Sequence, residues 1–513
     1  MTLLIERARV VTGAPPDGDP VTKDGVLEDH DILVEGDRIA AIGPDLARRR
    51  GLDLAPDRII DARGLIAFPG LVNAHLHSNE SFEQGMSDNL PLELWRLRTY
   101  PPFGVPPLDE EDYRLRALMA GIQSIRSGVT TVQDDVINLA GTTASVDGAC
   151  RAYAELGLRA WVTTSLGDRG LLDSHPFLEE LITPEVRQLI GADRPMPARD
   201  QIALFEANHA RWDGAEDGRI RIILGPRAPQ RCTPELLALV GEASERHGCP
   251  IHTHALETRT QAVTAQRELG RTLIAYLDDL DLLSPRLTLN HGIWLTDDDI
   301  ARLGAAGSAV THNPLSNQKL GSGICRVRRL LDEGVTVALG TDGLATSDTA
   351  DMLTALHAGA LLNKLSTPDP ARWASAADAF AMATRGGAAS GGMADDLGRL
   401  MPGMKADIVL FDRRHWGFVP CNDPVAQLAY SVGAEAADTV IVDGQPVMRH
   451  RRLTRIDEEA VREAVIDRAE RWRSEIKPKA IAAADTLTPA MTAMYERAIS
   501  EFATQDWAAP LRR

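Results

Sequence analysis

The stretch Pro69-Gly-Leu-Val-Asn-Ala-His-Leu-His77 is a short apolar run that ends in two histidines. Residues i and i+2 of a β-strand point to the same face, so the imidazoles of His75 and His77 can reach one metal ion. Alone, the pair is a weak signal, because histidines at such positions also occur in cores and on surfaces. Whether the pair indicates a metal site depends on the side chains at the ends of the other strands.

Three later apolar runs end in further metal-binding or acid–base side chains. They are Ile251-His-Thr-His-Ala-Leu-Glu257, Leu289-Asn-His-Gly292 and Ala338-Leu-Gly-Thr-Asp-Gly343. Three imidazoles and a carboxylate suit Zn²⁺ or Fe²⁺ and leave a coordination position for water. His252 and His254 share a strand face, so parity leaves open which of them is the ligand.

Residues 66–396 alternate short apolar runs with amphipathic helical stretches. The strand candidates are 67–74, 129–132, 160–164, 220–224, 250–254, 287–290, 309–311 and 335–340. Helical stretches such as 112–127 and 234–247 lie between them, the second with Thr233 as its predicted N-cap. Eight strands alternating with helices predict an α/β fold, a closed (β/α)₈ TIM barrel, whose active-site residues lie at the C-terminal strand ends.

Both flanks of this region carry β-rich sequence of another kind. The runs are 3–11, 31–35 and 38–43, with a hairpin at Glu35-Gly-Asp37, and then 406–412 and 439–447. We predict that 1–65 and 397–455 form one small β-sandwich domain, built from both chain ends. Residues 456–513 are charged and helical in pattern, which predicts an extension packed outside the barrel.

Composition argues against several classes of partner. The formal net charge is −18 and no Lys/Arg run occurs, which disfavours nucleic acid and anionic membrane surfaces. No apolar stretch approaches the roughly 18 residues of a membrane span, and the N-terminal segment has no apolar signal region. Five scattered cysteines without a CxxC pair indicate a reducing compartment. We therefore expect a cytoplasmic protein with neither a nucleic-acid nor a membrane partner.

Six motifs together resemble the chlorohydrolase and aminohydrolase branch of the amidohydrolase superfamily. They are 69–77, Ser127-Gly-Val-Thr-Thr-Val132, His252-Thr-His-Ala-Leu-Glu-Thr258, His312-Asn-Pro-Leu-Ser-Asn317 with Lys319-Leu-Gly-Ser-Gly323, Gly340-Thr-Asp-Gly343 and Pro402-Gly-Met-Lys-Ala-Asp407. That branch includes deaminases of guanine, cytosine and S-adenosylhomocysteine-type nucleosides, and s-triazine hydrolases. The resemblance covers roughly residues 1–455.

The resemblance implies a metal-ligand set and two acid–base partners. Family spacing places a glutamate three residues after the ligand, which selects His254 and leaves His252 a deeper structural role. The implied ligands are His75, His77, His254 and Asp342. The implied catalytic residues are Glu257 as proton donor, His291 as oxyanion stabiliser and Asp342 as acceptor of the water proton. A bound ion would lower the pKa of its water toward ~7.

The lysines bear on the number of ions. Binuclear relatives often bridge two metals with a carboxylated lysine on the fourth strand, whereas here no lysine lies between Lys23 and Lys319. We expect one divalent ion per chain, Zn²⁺ or alternatively Fe²⁺.

Departures from the family pattern bear on the substrate. Arg227 stands where nucleoside-type deaminases carry the histidine of a Pro-His-Ala-Pro-Tyr-like stretch, and could hold a carboxylate or carbonyl. The loop 78–85 is rich in carboxylates and amides, which suits a polar or cationic substrate. Surface or packing roles are the alternatives for these side chains. The predicted substrate contacts are Arg227, Glu80, Gln84, Trp95, Ser316 and Asn317.

These features predict a metal-dependent hydrolase that deaminates an amino-substituted N-heterocycle of purine, pyrimidine, pterin or triazine type. A second hypothesis keeps the same centre but changes the leaving group to an alkylamine, chloride, or an amide or urea nitrogen. A third is a non-catalytic scaffold, which the complete ligand and acid–base set disfavours. The resemblance also implies a homo-oligomer.

Overall fold

The fold is that of a computed structural model, which describes residues 2–13, 25–137, 141–191 and 195–511. The first five strands are β1 (Thr2–Val11), β2 (Val26–Glu35), β3 (Arg38–Gly43), β4 (Ile59–Asp61) and β5 (Leu65–Pro69). The next eight are β6 (Leu71–Leu76), β7 (Val129–Asp134), β8 (Arg159–Leu166), β9 (Ile220–Pro226), β10 (Ile251–Ala255), β11 (Leu287–His291), β12 (Ala309–His312) and β13 (Thr336–Leu339). The last four are β14 (Ile408–Asp412), β15 (Ala437–Val442), β16 (Gln445–Arg449) and β17 (Arg452–Leu453).

Strands β6 to β13 form one parallel sheet in sequence order, which confirms the predicted (β/α)₈ barrel. The barrel closes where the chain after β13 meets β6: the amide of Asp342 donates to the His75 carbonyl at 2.9 Å, and Asn73 bonds Thr341. Gly340 permits this approach, because a Cβ there would lie 2.8 Å from the Cβ of His75.

Helices follow the barrel strands on the outside. The α-helices of five residues or more are Leu46–Arg50, Leu92–Thr99, Glu110–Arg126, Ala144–Leu156, Pro184–Gly191, Ala198–Trp212, Pro234–His247, Arg259–Leu269, Leu273–Asp279, Asp297–Ala306, Pro314–Lys319, Val327–Asp332, Met352–Leu362, Ala376–Ala381, Pro424–Tyr430, Glu458–Arg471 and Lys477–Thr504. The predicted helix cap is present: the Thr233 hydroxyl accepts the amide of Leu236 at 3.2 Å. Among the described residues, no helix has the length and apolarity to cross a membrane.

The other strands form one mixed, nine-stranded sheet from both chain ends. Its order is β17-β16-β15-β14-β5-β1-β2-β3, with β4 paired to β1. The two ends join where β5 runs antiparallel to β14, with Ala67 opposite Leu410. The predicted hairpin at residues 35–37 is also present, since Glu35 pairs with Arg38. The residue boundaries of the four predicted segments stay predictions.

The predicted single strand 67–74 was wrong. The run divides at Gly70 into β5 of the mixed sheet and β6 of the barrel. A Cβ on Gly70 would lie 2.2 Å from the Thr130 hydroxyl, so only glycine lets the chain pass between the two sheets.

The C-terminal extension packs on the barrel exterior. Its helices Glu458–Arg471 and Lys477–Thr504 are joined by a π-helical turn at Trp472–Ile476. Arg468 bonds Asp112 at 2.5 Å, and the buried Lys477 pairs with Glu83 beside the mouth of the barrel. The extension therefore touches the segment that follows the first barrel strand.

Candidate active site

The four predicted ligands meet at the C-terminal mouth of the barrel. His75 lies in β6 and His77 directly after it, His254 lies in β10, and Asp342 follows β13. Nε2 of His77 is 3.2 Å from Nε2 of His254, and Asp342 Oδ1 is 3.4 Å from Nε2 of both His75 and His77. Spacings of this size suit side chains that share one metal ion.

Nδ1 of each ligand imidazole contacts a polar partner on the side away from the ligand cluster. His75 Nδ1 lies 2.9 Å from Nε2 of His252, which occupies a deeper position in the barrel. His77 Nδ1 bonds the Asp135 carbonyl at 2.6 Å, and His254 Nδ1 bonds the Arg227 carbonyl at 2.8 Å. Partners of this kind fix the ring orientation of metal-binding histidines and direct Nε2 toward the metal.

The donor set fits a divalent cation. Nε2 of His75 is buried and has no hydrogen-bond partner among the described residues, a costly state that a bound metal would relieve. Burial lowers the pKa of His75 to about 3, so the ring is neutral and able to coordinate. Burial opposes the charge of His77, but Glu80, Asp342 and Asp135 raise its pKa to about 9, and a metal would displace that proton.

Glu257 and His291 lie beside this cluster. His291 Nε2 is 3.8 Å from Glu257 Oε2 and 3.8 Å from Asp342 Oδ2. Burial raises the pKa of Glu257 to about 7, although nearby His291 acts in the opposite direction. His291 and Asp342 both adopt positive φ, 73° and 66°, at their strand ends. Such backbone outliers cluster at functional sites, where the fold holds them in place.

A pocket of about 80 Å³ opens onto the cluster. Three predicted substrate contacts line it, namely Glu80, Trp95 and Arg227, together with Glu257, His291 and Asp342. The Tyr100 hydroxyl donates to Glu80 Oε1 at 2.6 Å, and burial raises the pKa of Glu80 to about 8. Glu80 also approaches Gly343, where a Cβ would lie 1.8 Å from Oε2. Only glycine is therefore compatible with this position of Glu80.

The other three predicted contacts lie outside the pocket wall. The Gln84 amide donates to the Asp348 carbonyl, away from the ligand cluster. Asn317 Oδ1 lies 2.9 Å from His291 Nδ1, so Asn317 orients that ring. The Ser316 hydroxyl donates to the Asn313 carbonyl at 3.4 Å within its own turn.

Several pocket residues were missed from the sequence. Arg96, Arg231, Gln261, Tyr100 and Asp135 line the wall. Asp135 directly follows β7 and Arg231 follows β9 by five residues, so their position at strand ends was a usable signal. Arg96 lies in the helix Leu92–Thr99, where nothing in the sequence distinguishes it from a surface arginine.

Residues 66–447 match the Amidohydrolase family. The chain belongs to the amidohydrolase family. It is 33% identical over 459 residues to a 5-methylthioadenosine/S-adenosylhomocysteine deaminase of Pelotomaculum thermopropionicum, which covers 90% of this chain and 96% of that relative. It is 32% identical over 469 residues to a 5'-deoxyadenosine deaminase of Methanosarcina mazei, covering 91% and 98%.

Solved amidohydrolase-like structures resemble the whole fold. An adenosine deaminase from Xanthomonas campestris with bound zinc matches with a TM-score of 0.79 and 28% identity, over 93% of this chain and 98% of that one. An atrazine chlorohydrolase from Arthrobacter aurescens TC1 in complex with zinc matches with a TM-score of 0.80 and 27% identity, over 91% and 100%. The family resemblance found in the motifs is thereby confirmed.

Proposed function

We propose that this amidohydrolase removes an amino group hydrolytically from an N-heterocycle, using one divalent ion, Zn²⁺ or alternatively Fe²⁺. The observation that carries the proposal is a buried, protonatable Glu257 paired with His291 beside three inward-facing imidazoles and Asp342. Relatives named as adenosine-type deaminases, similar over nine-tenths of the chain, support the reaction class.

His75, His77, His254 and Asp342 would hold the ion, and its chemistry is to lower the pKa of a water ligand so that a nucleophile forms at neutral pH. Asp342 would take up the proton of the attacking water at Oδ2, the oxygen that faces His291.

Glu257 supplies the proton for the heterocycle. It gives this proton to a ring nitrogen as oxygen adds to the adjacent carbon. His291 stabilises the negative charge that develops on that oxygen. As the C–N bond breaks, Asp342 passes its proton to the departing amine, which leaves as ammonia. The hydroxyl proton of the intermediate moves to Glu257, which restores the acid as the C=O bond of the product forms.

The lining of the pocket suits a heterocyclic ring. Leu92 and Trp95 give it an apolar wall, while Glu257 and Gln261 supply polar groups. A mostly apolar cleft with a few placed polar groups is typical of small-molecule sites.

The test is ammonia release from the zinc- or iron-loaded protein across purine, pyrimidine, pterin and triazine amines. We expect at least one class to release ammonia in proportion to enzyme. No release from any class, with one ion per chain bound, would refute deamination.

A second candidate keeps the centre and changes the leaving group. It is favoured by Arg227 in the pocket wall and by the similarity to an atrazine chlorohydrolase. Chloride or alkylamine release without ammonia, from chloro- and N-alkylamino-heterocycles added to the panel, would establish it instead.

A cytoplasmic location and a homo-oligomeric state are also proposed. The five cysteines are unpaired, and four of them are buried, as suits a reducing compartment. The homo-oligomeric state is proposed from the family resemblance of the motifs. Light scattering of the purified protein measures the oligomeric state, and a monomer would contradict the proposed homo-oligomer.

A further inference from the structure

Three arginines line the small pocket in front of the ligand cluster. Arg96 comes from the helix Leu92–Thr99, Arg227 directly follows β9, and Arg231 ends the short turn Pro229–Arg231. Three guanidinium groups around about 80 Å³ are a large concentration of positive charge for a ring-binding pocket.

Two of these arginines have guanidinium N–H donors that are available to a ligand. Among the described residues, neither Arg96 nor Arg231 forms an ion pair or a side-chain hydrogen bond. Buried arginines elsewhere in this chain are engaged: Arg159 pairs with Asp407 at 3.0 Å and with Asp443 at 2.5 Å. Arg116 donates to the Asn79 carbonyl at 2.7 Å. Fixed partners are therefore the rule for arginines that serve the fold, and the two in the pocket wall differ.

The arginines and a divalent ion would offset the carboxylates of the pocket. The wall carboxylates are Glu80, Asp135, Glu257 and Asp342. Three guanidinium groups and a divalent ion would match these four together with the buried Glu93, which also interacts with Arg231. Burial lowers the pKa of Arg231 only to about 10, so its charge persists at neutral pH.

The acidic loop after His77 does not reverse this balance. Glu83 is paired with Lys477 outside the pocket wall, and Glu80 accepts a hydrogen bond from Tyr100. Glu80 is therefore the carboxylate of this loop that reaches the pocket, and it is already counted in the balance.

We propose that the substrate heterocycle carries a carboxylate, which Arg231 and Arg96 bind opposite the ligand cluster. This inference rests on the proposed function. Gln261 joins the same subsite: its Oε1 accepts the amide of Glu257 at 2.9 Å, which leaves its Nε2 donors for the ligand. A planar carboxylate matches the guanidinium fork and fits the small volume, whereas a phosphate would be larger and dianionic.

The experiment compares matched neutral and carboxylated probes, cytosine with 5-carboxycytosine and pterin with pterin-6-carboxylate. Calorimetric Kd values and ammonia release are both measured on the metal-loaded protein. We expect a carboxylated probe to bind about 10- to 100-fold more tightly than its neutral partner. Arg231→Met should abolish that preference.

Further variants distinguish the charge of Arg231 from the geometry of its guanidinium group, and binding effects from effects on folding. Arg231→Lys keeps the charge without the fork and should restore only part of the preference. Arg96→Met tests the second arm of the subsite if Arg231→Met proves unstable. Arg48→Met, at a side chain 86% exposed, is the matched control and should bind both probes as the parent does.

The outcomes separate this inference from the proposed reaction. Ammonia release without preference for carboxylate would overturn the subsite and leave deamination intact. Arg231-dependent binding of a carboxylated probe without ammonia would support the subsite and exclude that probe as a substrate for deamination, which the full panel of amines tests separately. Carboxylated probes that bind no better than neutral ones, with or without turnover, overturn the subsite.

Discussion

At the scale of single residues, the centre depends on what lies behind its ligands. His75, His77 and His254 each use Nδ1 for a fixed partner, and His291 does the same with Asn317. These contacts turn four Nε2 atoms toward one point. The ligands could be predicted from the two-residue period of strands and from their position at strand ends. The partners behind them come from neighbouring strands and loops, and the sequence does not show which of these segments lie side by side.

His252 supports His75 through its side chain, whereas His77 and His254 are held by backbone carbonyls. His252→Phe keeps the ring shape but removes the nitrogen that faces His75, and should weaken zinc binding about 10- to 100-fold. Competition with a chelating dye measures the affinity. His450→Phe, at a side chain 73% exposed, is the control. Unchanged zinc affinity in His252→Phe would show that His75 needs no such support.

Glu257 carries the proton transfer in the proposed reaction. Glu257→Gln should keep the fold and the bound metal but lower kcat about 10²- to 10⁴-fold, because an amide cannot give up the proton. Metal analysis and steady-state kinetics on the same sample separate the two effects. Near-normal turnover would assign the acid elsewhere.

The pH profile follows from the same carboxyl. Burial raises the pKa of Glu257 to about 7 against the opposing effect of His291. The protonated form dominates below this pKa and is lost as pH rises through it, so kcat/KM should fall about tenfold per unit well above neutrality. Glu257→Gln should flatten this limb. A parent profile that stays level into the alkaline range would exclude Glu257 as the acid.

At the scale of elements, the helix Lys477–Thr504 supports the active-site mouth from outside. Lys477 pairs with Glu83, both 6% exposed, and Glu83 lies in the short helix Ser78–Glu83 that also carries Glu80. The sequence predicted the extension as a helix, because its charge pattern is local. It did not predict the pairing, since the partners are 394 positions apart.

Lys477→Met should leave the Glu83 carboxylate buried and unpaired, at a cost of about 3–5 kcal/mol in unfolding free energy. Urea unfolding measures it, and Lys479→Met, at an exposed lysine two positions on, is the matched control. Adding Glu83→Gln should recover part of the loss. If Lys477→Met unfolds like the control, the pair contributes nothing to the fold.

At the scale of the whole molecule, the barrel was predictable and its joint with the mixed sheet was not. The alternation of eight apolar runs with helical stretches is a repeated signal that survives errors at single boundaries. The division at Gly70 depends instead on Thr130, a residue of the next strand whose hydroxyl would lie 2.2 Å from a Cβ at position 70. The pocket arginines were likewise only partly foreseen, because a substrate wall assembles from several loops at once.

The central claim is that the chain releases ammonia from an amino-heterocycle at the centre formed by His75, His77, His254 and Asp342. The most direct test follows ammonia release by one preparation that is metal-loaded, then chelated, then reloaded, beside Asp342→Ala treated in the same way. We predict activity that disappears with chelation, returns with one ion per chain, and is lost with metal retention in Asp342→Ala. Full activity in Asp342→Ala, or ammonia release that persists after chelation, would contradict it.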